Sequence, residues 1–310
     1  MAWVFPGQGS QQVGMGKALA ERYPVAAHAF DEASEALGFD LRALCWDGPQ
    51  DQLDLTANAQ PAIVTTSVAA LRAALEEGPM DAGKHTAADT LCLGHSVGEY
   101  SALVAAGALE LADAVRLVRR RGELMQTASA GGMAAVIGLE VDAIERAIAG
   151  TAAVVANDNA PGQVVISGAS DALEAATAAL KAAGAKRVIP LRVSGAFHSP
   201  LLRDIAPELR HAIDGARWSA LRLRVIANVD AEVHERARDF PELLERQVWS
   251  PVRWVASVRR AAAEGADTFI EFGAGSVVTG LVTRILPGTK AISIGDPPSL
   301  ATAVALLRGS

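Results

Sequence analysis

The sequence predicts an α/β protein in two nested parts, a larger unit built on a parallel sheet and a small βαββαβ unit inserted into it. Three observations carry this. Half of the 310 residues are hydrophobic, with Ala, Gly and Val frequent, a composition that suits packed strands and helices rather than a disordered or fibrous chain. Residues 89–106, DTLCLGHSVGEYSALVAA, read as a buried strand, a sharp turn and an apolar helix, with G-x-S-x-G in the turn. Residues 131–193 then run strand, helix, strand, strand, helix, strand, the ferredoxin-like order.

Taken in order, Ala2 to Phe5 is a first strand, ended by Pro6 and the Gly-rich loop Gly7-Gln8-Gly9-Ser10-Gln11-Gln12. Neither nucleotide template fits this loop. A G-x-G-x-x-G fingerprint needs Gly where Gln12 stands, and a P-loop ending at Gly16-Lys17 needs Gly and Ser or Thr where Gln11 and Ala18 stand. The loop is either an ordinary turn or a source of main-chain donors, the Gln8 N–H then forming one half of an oxyanion hole. Helical patterns follow at 25–37 and at 59–77, where Pro61 is placed near a helix start. Residues 78–88 are rich in Gly, Pro and Asp and read as a loop.

The elbow comes next, with Thr90 to Leu93 as its strand and Ser101 to Ala106 as the body of its helix. A strained turn with glycine on both flanks presents Ser96 to a substrate, and the helix that follows directs free N–H groups, Val97 first, at the reaction centre. The competing reading is a tight turn whose serine merely caps the helix. His95 adjoins the serine and is expected to point away from it.

In the helix expected at 112–128, Ala114, Leu117, Val118, Leu124 and Met125 form an apolar face, and Arg121 falls on it by i+3 and i+4 spacing. Arg116, Arg119 and Arg120 fall on other faces. A guanidinium among apolar side chains requires a partner. Two are open: an internal ion pair, with Glu99 the candidate, or a carboxylate on a substrate, gripped through two hydrogen bonds.

In the inserted unit, strands are expected at 133–139, 152–156, 163–167 and 187–191, and helices at 141–149 and 170–183. Gly131-Gly132 and Ser194-Gly195 are its hinges, and Asn157 and Asn159 are assigned to its central turn, as residues that face the cleft or as turn chemistry. The whole reads as an α/β-hydrolase-like large subdomain with a parallel sheet (1–128 and 197–310) and an inserted ferredoxin-like (βαββαβ) small subdomain (129–196). At the second junction stands Gly195-Ala196-Phe197-His198-Ser199-Pro200. A serine is a weak nucleophile until a base takes its proton, so His198 is the candidate base. His28, His85, His211 and His234 lie in polar or helical surface settings. No acidic residue between 96 and 198 offers itself as a third member, which leaves a main-chain carbonyl to orient the imidazole. The last third completes the sheet, with strands at 224–227, 268–271 and 291–294, helices at 251–264 and 277–285, and a tight turn at Gly273-Ala274-Gly275-Ser276.

A formal charge of −7 argues against affinity for nucleic acid or anionic membranes. Cys45 and Cys92 are far apart and in no C-x-x-C, so no disulfide framework or zinc site is encoded, and Cys92 reads as a small core residue. The opening MAWVFPGQGS has no basic region or long apolar run, and no stretch reaches the ~18 apolar residues of a membrane span, so a cytoplasmic location is expected.

With FPGQGSQ at 5–11, GHSVGEYSAL at 94–103, RRGELM at 120–125, NAPGQVVISG at 159–168, GAFHSPL at 195–201, QVWSPVRW at 247–254 and EFGAGSV at 271–277, the chain resembles the malonyl-CoA:acyl-carrier-protein transacylase family and the related acyltransferase domains of polyketide synthases. The resemblance implies that Ser96 is acylated, that His198 is its base, that the Gln247 main-chain carbonyl orients the imidazole, that Gln8 and Val97 form the oxyanion hole, and that Arg121 clamps the malonyl carboxylate. It implies malonyl-CoA and an acyl carrier protein as partners, no separate cofactor beyond the coenzyme A thioester and the carrier's phosphopantetheine, no metal, and a monomer. Val97 after the serine and Phe197 in the A-F-H form of the histidine motif resemble the residues of malonyl-selective polyketide acyltransferases. The same dyad would serve a hydrolase that clears acyl groups from carrier proteins, or a transferase of another acyl unit in a polyketide pathway.

Overall fold

The computed structural model describes residues 1–78, 90–128 and 131–308. Most of the loop expected at 78–88, with His85, and the boundary at 129 lie outside these residues. Among the described residues the strands, numbered in chain order, form two sheets. They are β1 (Ala2–Phe5), β2 (Leu91–Gly94), β3 (Gly132–Ile137), β4 (Val154–Ala160), β5 (Gln163–Gly168), β6 (Arg187–Pro190), β7 (Arg224–Ile226), β8 (Val233–His234), β9 (Thr268–Phe272) and β10 (Lys290–Ile294). The larger sheet runs β10-β9-β1-β2-β7-β8 and the smaller β4-β5-β3-β6. All neighbours in the larger sheet are parallel except the short edge strand β8, which is antiparallel to β7. The smaller sheet is antiparallel throughout, and its order is the ferredoxin-like one. The large unit is thus an α/β-hydrolase-like sheet with a ferredoxin-like insert.

Three neighbouring strands of the larger sheet bring the site together. Parallel pairing puts Phe5 opposite Gly94, so the loop after β1 and the elbow after β2 leave the sheet side by side, joined by the His95 N–H donating to the Phe5 carbonyl at 2.9 Å. β7 pairs with β2 on the other side, and the chain leaving it reaches the elbow at Asn228. Sites at the carboxyl ends of parallel strands follow from this geometry, because only there do successive loops converge.

The elbow has no room for larger residues. A Cβ on Gly94 would lie 2.0 Å from the Gly98 carbonyl, and one on Gly98 would lie 2.4 Å from the Phe5 oxygen. The helix Gly98–Ala105 begins directly at the turn, as expected of the elbow.

The long helix Thr56–Glu77 begins three residues early, so Pro61 sits in its second turn rather than at its start. Proline there deprives the Ala57 carbonyl of its helical donor. The Arg119 guanidinium replaces it, donating at 3.3 Å from the helix Leu111–Thr127. These two helices cross closely at Gly122, where a Cβ would meet the Ala57 Cα at 2.7 Å.

Asn157 and Asn159 lie in β4 and not in the turn, which falls at Pro161-Gly162. Register shifts at Val155/Asn157 and Asp158/Ala160 let the strand carry two turn-forming residues without ending. β4 also bonds to the larger unit, through Asp158 N–H to the Val252 carbonyl at 3.0 Å and Val252 N–H to the Ala156 carbonyl at 2.8 Å. Cys92 is fully buried in β2. Among the described residues no helix is long and apolar enough to cross a membrane.

Gly122→Ala sets two effects against each other. Helix propensity favours alanine by up to about 1 kcal/mol, whereas overpacking a tight contact costs about 1–3 kcal/mol. Because the obstacle is backbone, the clash wins, and urea unfolding of the variant is expected to show a net loss of stability of about 1–2 kcal/mol.

Candidate active site

Ser96 stands at the tip of the elbow with φ 51°, a left-handed conformation unfavourable for a residue with a Cβ by about 1–2 kcal/mol. Two side chains hold it there. The Asn228 Oδ1 accepts from Ser96 N–H at 2.7 Å while its Nδ2 donates to the Gly94 carbonyl at 2.7 Å, and the Gln247 Nε2 donates to the Ser96 carbonyl at 3.0 Å.

His198 comes to the serine from the chain returning out of the small sheet. It too is left-handed, at φ 56°, and its N–H donates to the Val248 carbonyl at 3.1 Å. Its Nε2 lies 2.8 Å from Ser96 Oγ and its Nδ1 lies 2.9 Å from the Gln247 main-chain oxygen. A carbonyl can only accept, so Nδ1 carries the hydrogen and Nε2 turns its lone pair to the serine hydroxyl. Burial, and then the Arg121 charge, push the imidazole down to about 3 against the Gln247 hydrogen bond, which opposes them. At neutral pH the ring is neutral and able to take a proton.

Arg121 is 1% exposed. Its Nη1 donates to Gln60 Oε1 at 2.8 Å, and its Nη2 donates to Gln247 Oε1 at 3.0 Å and to Ser96 Oγ at 3.2 Å. The guanidinium also lies over the Tyr100 ring, 5.9 Å from its centroid. The internal ion pair considered for it does not form: Glu99 instead accepts from Asn228 N–H at 2.9 Å and from Gln247 Nε2 at 2.8 Å. The arginine is held by neutral oxygens and opens onto a cleft of about 490 Å³, lined among others by Gln8, Ser96, Val97, Arg121, Phe197 and His198.

Neither the Gln8 nor the Val97 main-chain N–H donates to another described residue. Both residues border the cleft beside Ser96, where such donors can meet a negative oxygen. The Gln8 loop is pinned by Gly9 N–H to Gln11 Oε1 at 2.7 Å and Ser10 Oγ to the Gly7 carbonyl at 2.9 Å. A Cβ on Gly7 would strike the His95 carbonyl at 2.5 Å, so the loop and the elbow touch through backbone.

His95 turns away from the serine, as expected, its Nε2 lying 2.7 Å from Asn159 Oδ1 and its ring edge-on to Trp254. Asn157 and Asn159 face the same cleft. His28 and His211 are exposed, and His234 pairs with Asp230 at 3.2 Å, away from the serine. A second cavity, about 590 Å³, opens between β4 and residues 251–256, lined by Asp158, Glu145 and mostly apolar side chains. Among the described residues no group of three or more His, Cys, Asp and Glu side chains could hold a metal ion.

The sequence motifs do not point to Gln60, Asn228 or the side chain of Gln247. Gln60 left a signal, an amide amid the otherwise apolar helical stretch Ala59 to Val64. Asn228 left none, because its role depends on strand order.

Known proteins resemble the chain along nearly its whole length. The family model described as "Acyl transferase domain" matches residues 2–295. The malonyl CoA-acyl carrier protein transacylase of Bacillus subtilis (strain 168) is 43% identical, the alignment covering 99% of this chain and 97% of that protein. The chain belongs to the malonyl-CoA:acyl-carrier-protein transacylase family. The crystal structure of an acyl carrier protein S-malonyltransferase from Vibrio cholerae O1 biovar eltor superposes with a TM-score of 0.92 at 43% identity, covering 97% of this chain and 98% of that one. A malonyl-transacylase in complex with its type II polyketide-synthase acyl-carrier protein superposes with a TM-score of 0.92 at 42% identity, covering 98% and 99%. The family resemblance read from the motifs is borne out along nearly the full chain.

The depressed pKa of His198 has a consequence for stability. A histidine ordinarily titrates near 6.5, so between there and about 3 the unfolded chain binds a proton that the folded chain refuses. This contribution to stability is intact above pH 6.5 and declines as the pH falls. Titration of the imidazole followed by NMR is expected to show His198 still neutral at pH 5, and a midpoint near 6.5 would contradict the buried, arginine-flanked setting.

Proposed function

We infer that this protein transfers a malonyl group from malonyl-CoA to the phosphopantetheine thiol of an acyl carrier protein, in a cytoplasmic setting, through a malonyl-serine intermediate. The observation that carries the reading is the buried Arg121 fork, held only by neutral oxygens and donating to the hydroxyl that also meets His198. A charge buried without a countercharge is costly, and a carboxylate entering the cleft relieves that cost while placing its carbonyl near Ser96.

His198 Nε2 takes the Ser96 proton as Oγ bonds to the thioester carbon. The resulting oxyanion is met by the Gln8 and Val97 N–H groups, and the Gln247 carbonyl steadies the imidazolium through Nδ1. As the carbonyl re-forms, the C–S bond breaks and the coenzyme A sulfur leaves with the proton from His198. In the second half the carrier thiol gives its proton to His198, its sulfur bonds to the acyl carbon, and the C–O bond to Ser96 breaks as Oγ recovers the proton. Residues 1–128 and 197–310 supply the nucleophile, base and arginine, and residues 129–196 supply the wall bearing Asn157 and Asn159. The similarity to a transacylase seated on its carrier protein supports the acceptor.

Intact-mass analysis after exposure to malonyl-CoA is expected to show one malonyl adduct on the wild type and none on Ser96→Ala. An unmodified wild type would overturn the reading. Arg121→Ala is expected to slow malonylation of Ser96 roughly 100-fold, since a charged bidentate contact is worth about 2–3 kcal/mol, and to slow acetylation by less than about tenfold. Equal losses with both donors, measured by quenched-flow mass analysis, would remove Arg121 from carboxylate recognition.

A further inference from the structure

Glu99 is fully buried in the first turn of the helix Gly98–Ala105, directly behind the serine, and takes no part in the steps above. Among the described residues it has no ion-pair partner. Its Oε2 accepts from the Gln247 amide nitrogen at 2.8 Å and from Asn228 N–H at 2.9 Å, while its Oε1 meets no partner. The Gln247 amide thus stands between an acid and a base, its nitrogen toward Glu99 and its oxygen toward Arg121 Nη2 at 3.0 Å.

An amide can occupy its site in two orientations of nearly equal shape, and hydrogen bonding decides between them. In the observed one every contact pairs a donor with an acceptor: Nε2 with Glu99 Oε2, the Ser96 carbonyl and, at 3.4 Å, Asn228 Oδ1, and Oε1 with Arg121. Turned over, the NH2 would face the guanidinium, donor against donor, and the oxygen would face three acceptors. Without an acceptor at residue 99, the charged partner of the nitrogen is gone, and the Ser96 carbonyl at 3.0 Å, the more distant Asn228 Oδ1 at 3.4 Å and Arg121 remain to oppose that turn.

We propose that Glu99 is a positioning residue for acyl selection: by anchoring the Gln247 nitrogen it keeps the amide oxygen on Arg121, and so holds the guanidinium aimed at the acyl pocket beside Ser96. The arrangement aims Arg121 without neutralising it. A direct Glu99–Arg121 pair would compete with the substrate's carboxylate, whereas the interposed amide leaves the arginine's charge available. The inference rests on the proposed reading of Arg121 as the carboxylate clamp. Burial pushes the Glu99 carboxyl up to about 7, against the two hydrogen bonds to Oε2, which lower it. A proton taken up on Oε1 leaves Oε2 still accepting from both donors, so the relay survives in either charge state, and a glutamine can replace it.

The test is the ratio of malonyl to acetyl transfer onto Ser96, read by quenched-flow mass analysis for wild type, Glu99→Ala, Glu99→Gln and Gln247→Leu, with thermal melting to establish folding. A lost structural support slows both donors alike, whereas a lost aim slows malonyl alone. Glu99→Ala is expected to lower the ratio at least about tenfold, with Glu99→Gln within about threefold of wild type. Gln247→Leu keeps the main-chain carbonyl for His198 but cuts the relay, so it should lower the ratio too, and it decides the matter if Glu99→Ala does not fold. Equal slowing of both donors, an unchanged ratio in Gln247→Leu, or a glutamine variant as impaired as the alanine overturns the positioning role and leaves the proposed function standing. A wild type that gains acetyl or malonyl nowhere on Ser96 overturns that function and this inference together.

Discussion

The left-handed backbone of Ser96 is the constraint on which the other features depend. A serine does not adopt φ 51° unaided, and the strands on either side of β2 supply what keeps it there. The β1 loop presses on the elbow from one side through Gly7 and His95, and Asn228 clamps it from the other, bonding both the Ser96 N–H and the Gly94 carbonyl. The order β1-β2-β7 therefore does chemical service: it turns three strand ends into one rigid mount for a hydroxyl. The glycines at 94 and 98 are demanded by backbone atoms within 2.0–2.4 Å of where their side chains would be.

Around that mount Arg121 and His198 are buried, where charges act more strongly than in water. Arg121 and His198 share the serine oxygen, and the arginine's charge helps keep the imidazole neutral. One residue, Gln247, connects them, its main chain fixing the histidine tautomer and its side chain fixing the arginine fork. Ser96, His198 and Arg121 are in consequence one hydrogen-bonded body.

Much of this was legible in the sequence because it is local. The elbow, the apolar face that buries Arg121 and the βαββαβ order are each patterns within a short stretch, and each is found where expected. What depended on tertiary pairing was not legible. Asn157 and Asn159 look like turn residues, and only the bulged pairing of β4 with β5 makes them strand residues facing the cleft. Pro61 looks like a helix start until Arg119, from a different helix, is seen satisfying the carbonyl it orphans. The choice between Glu99 and a substrate as the partner of Arg121 could not be made from spacing, since it turns on an amide delivered from residue 247.

A malonyl-serine held in this cleft faces two acceptors, water and a thiol, and the same dyad can activate either. Malonyl transfer requires that the thiol prevail over water. The most direct measurement is the fate of the isolated malonyl-enzyme when holo acyl carrier protein is added. Malonyl is expected to appear on the carrier's phosphopantetheine thiol much faster than free malonate is released. Release of free malonate as the main product, with carrier present in excess, would contradict transfer.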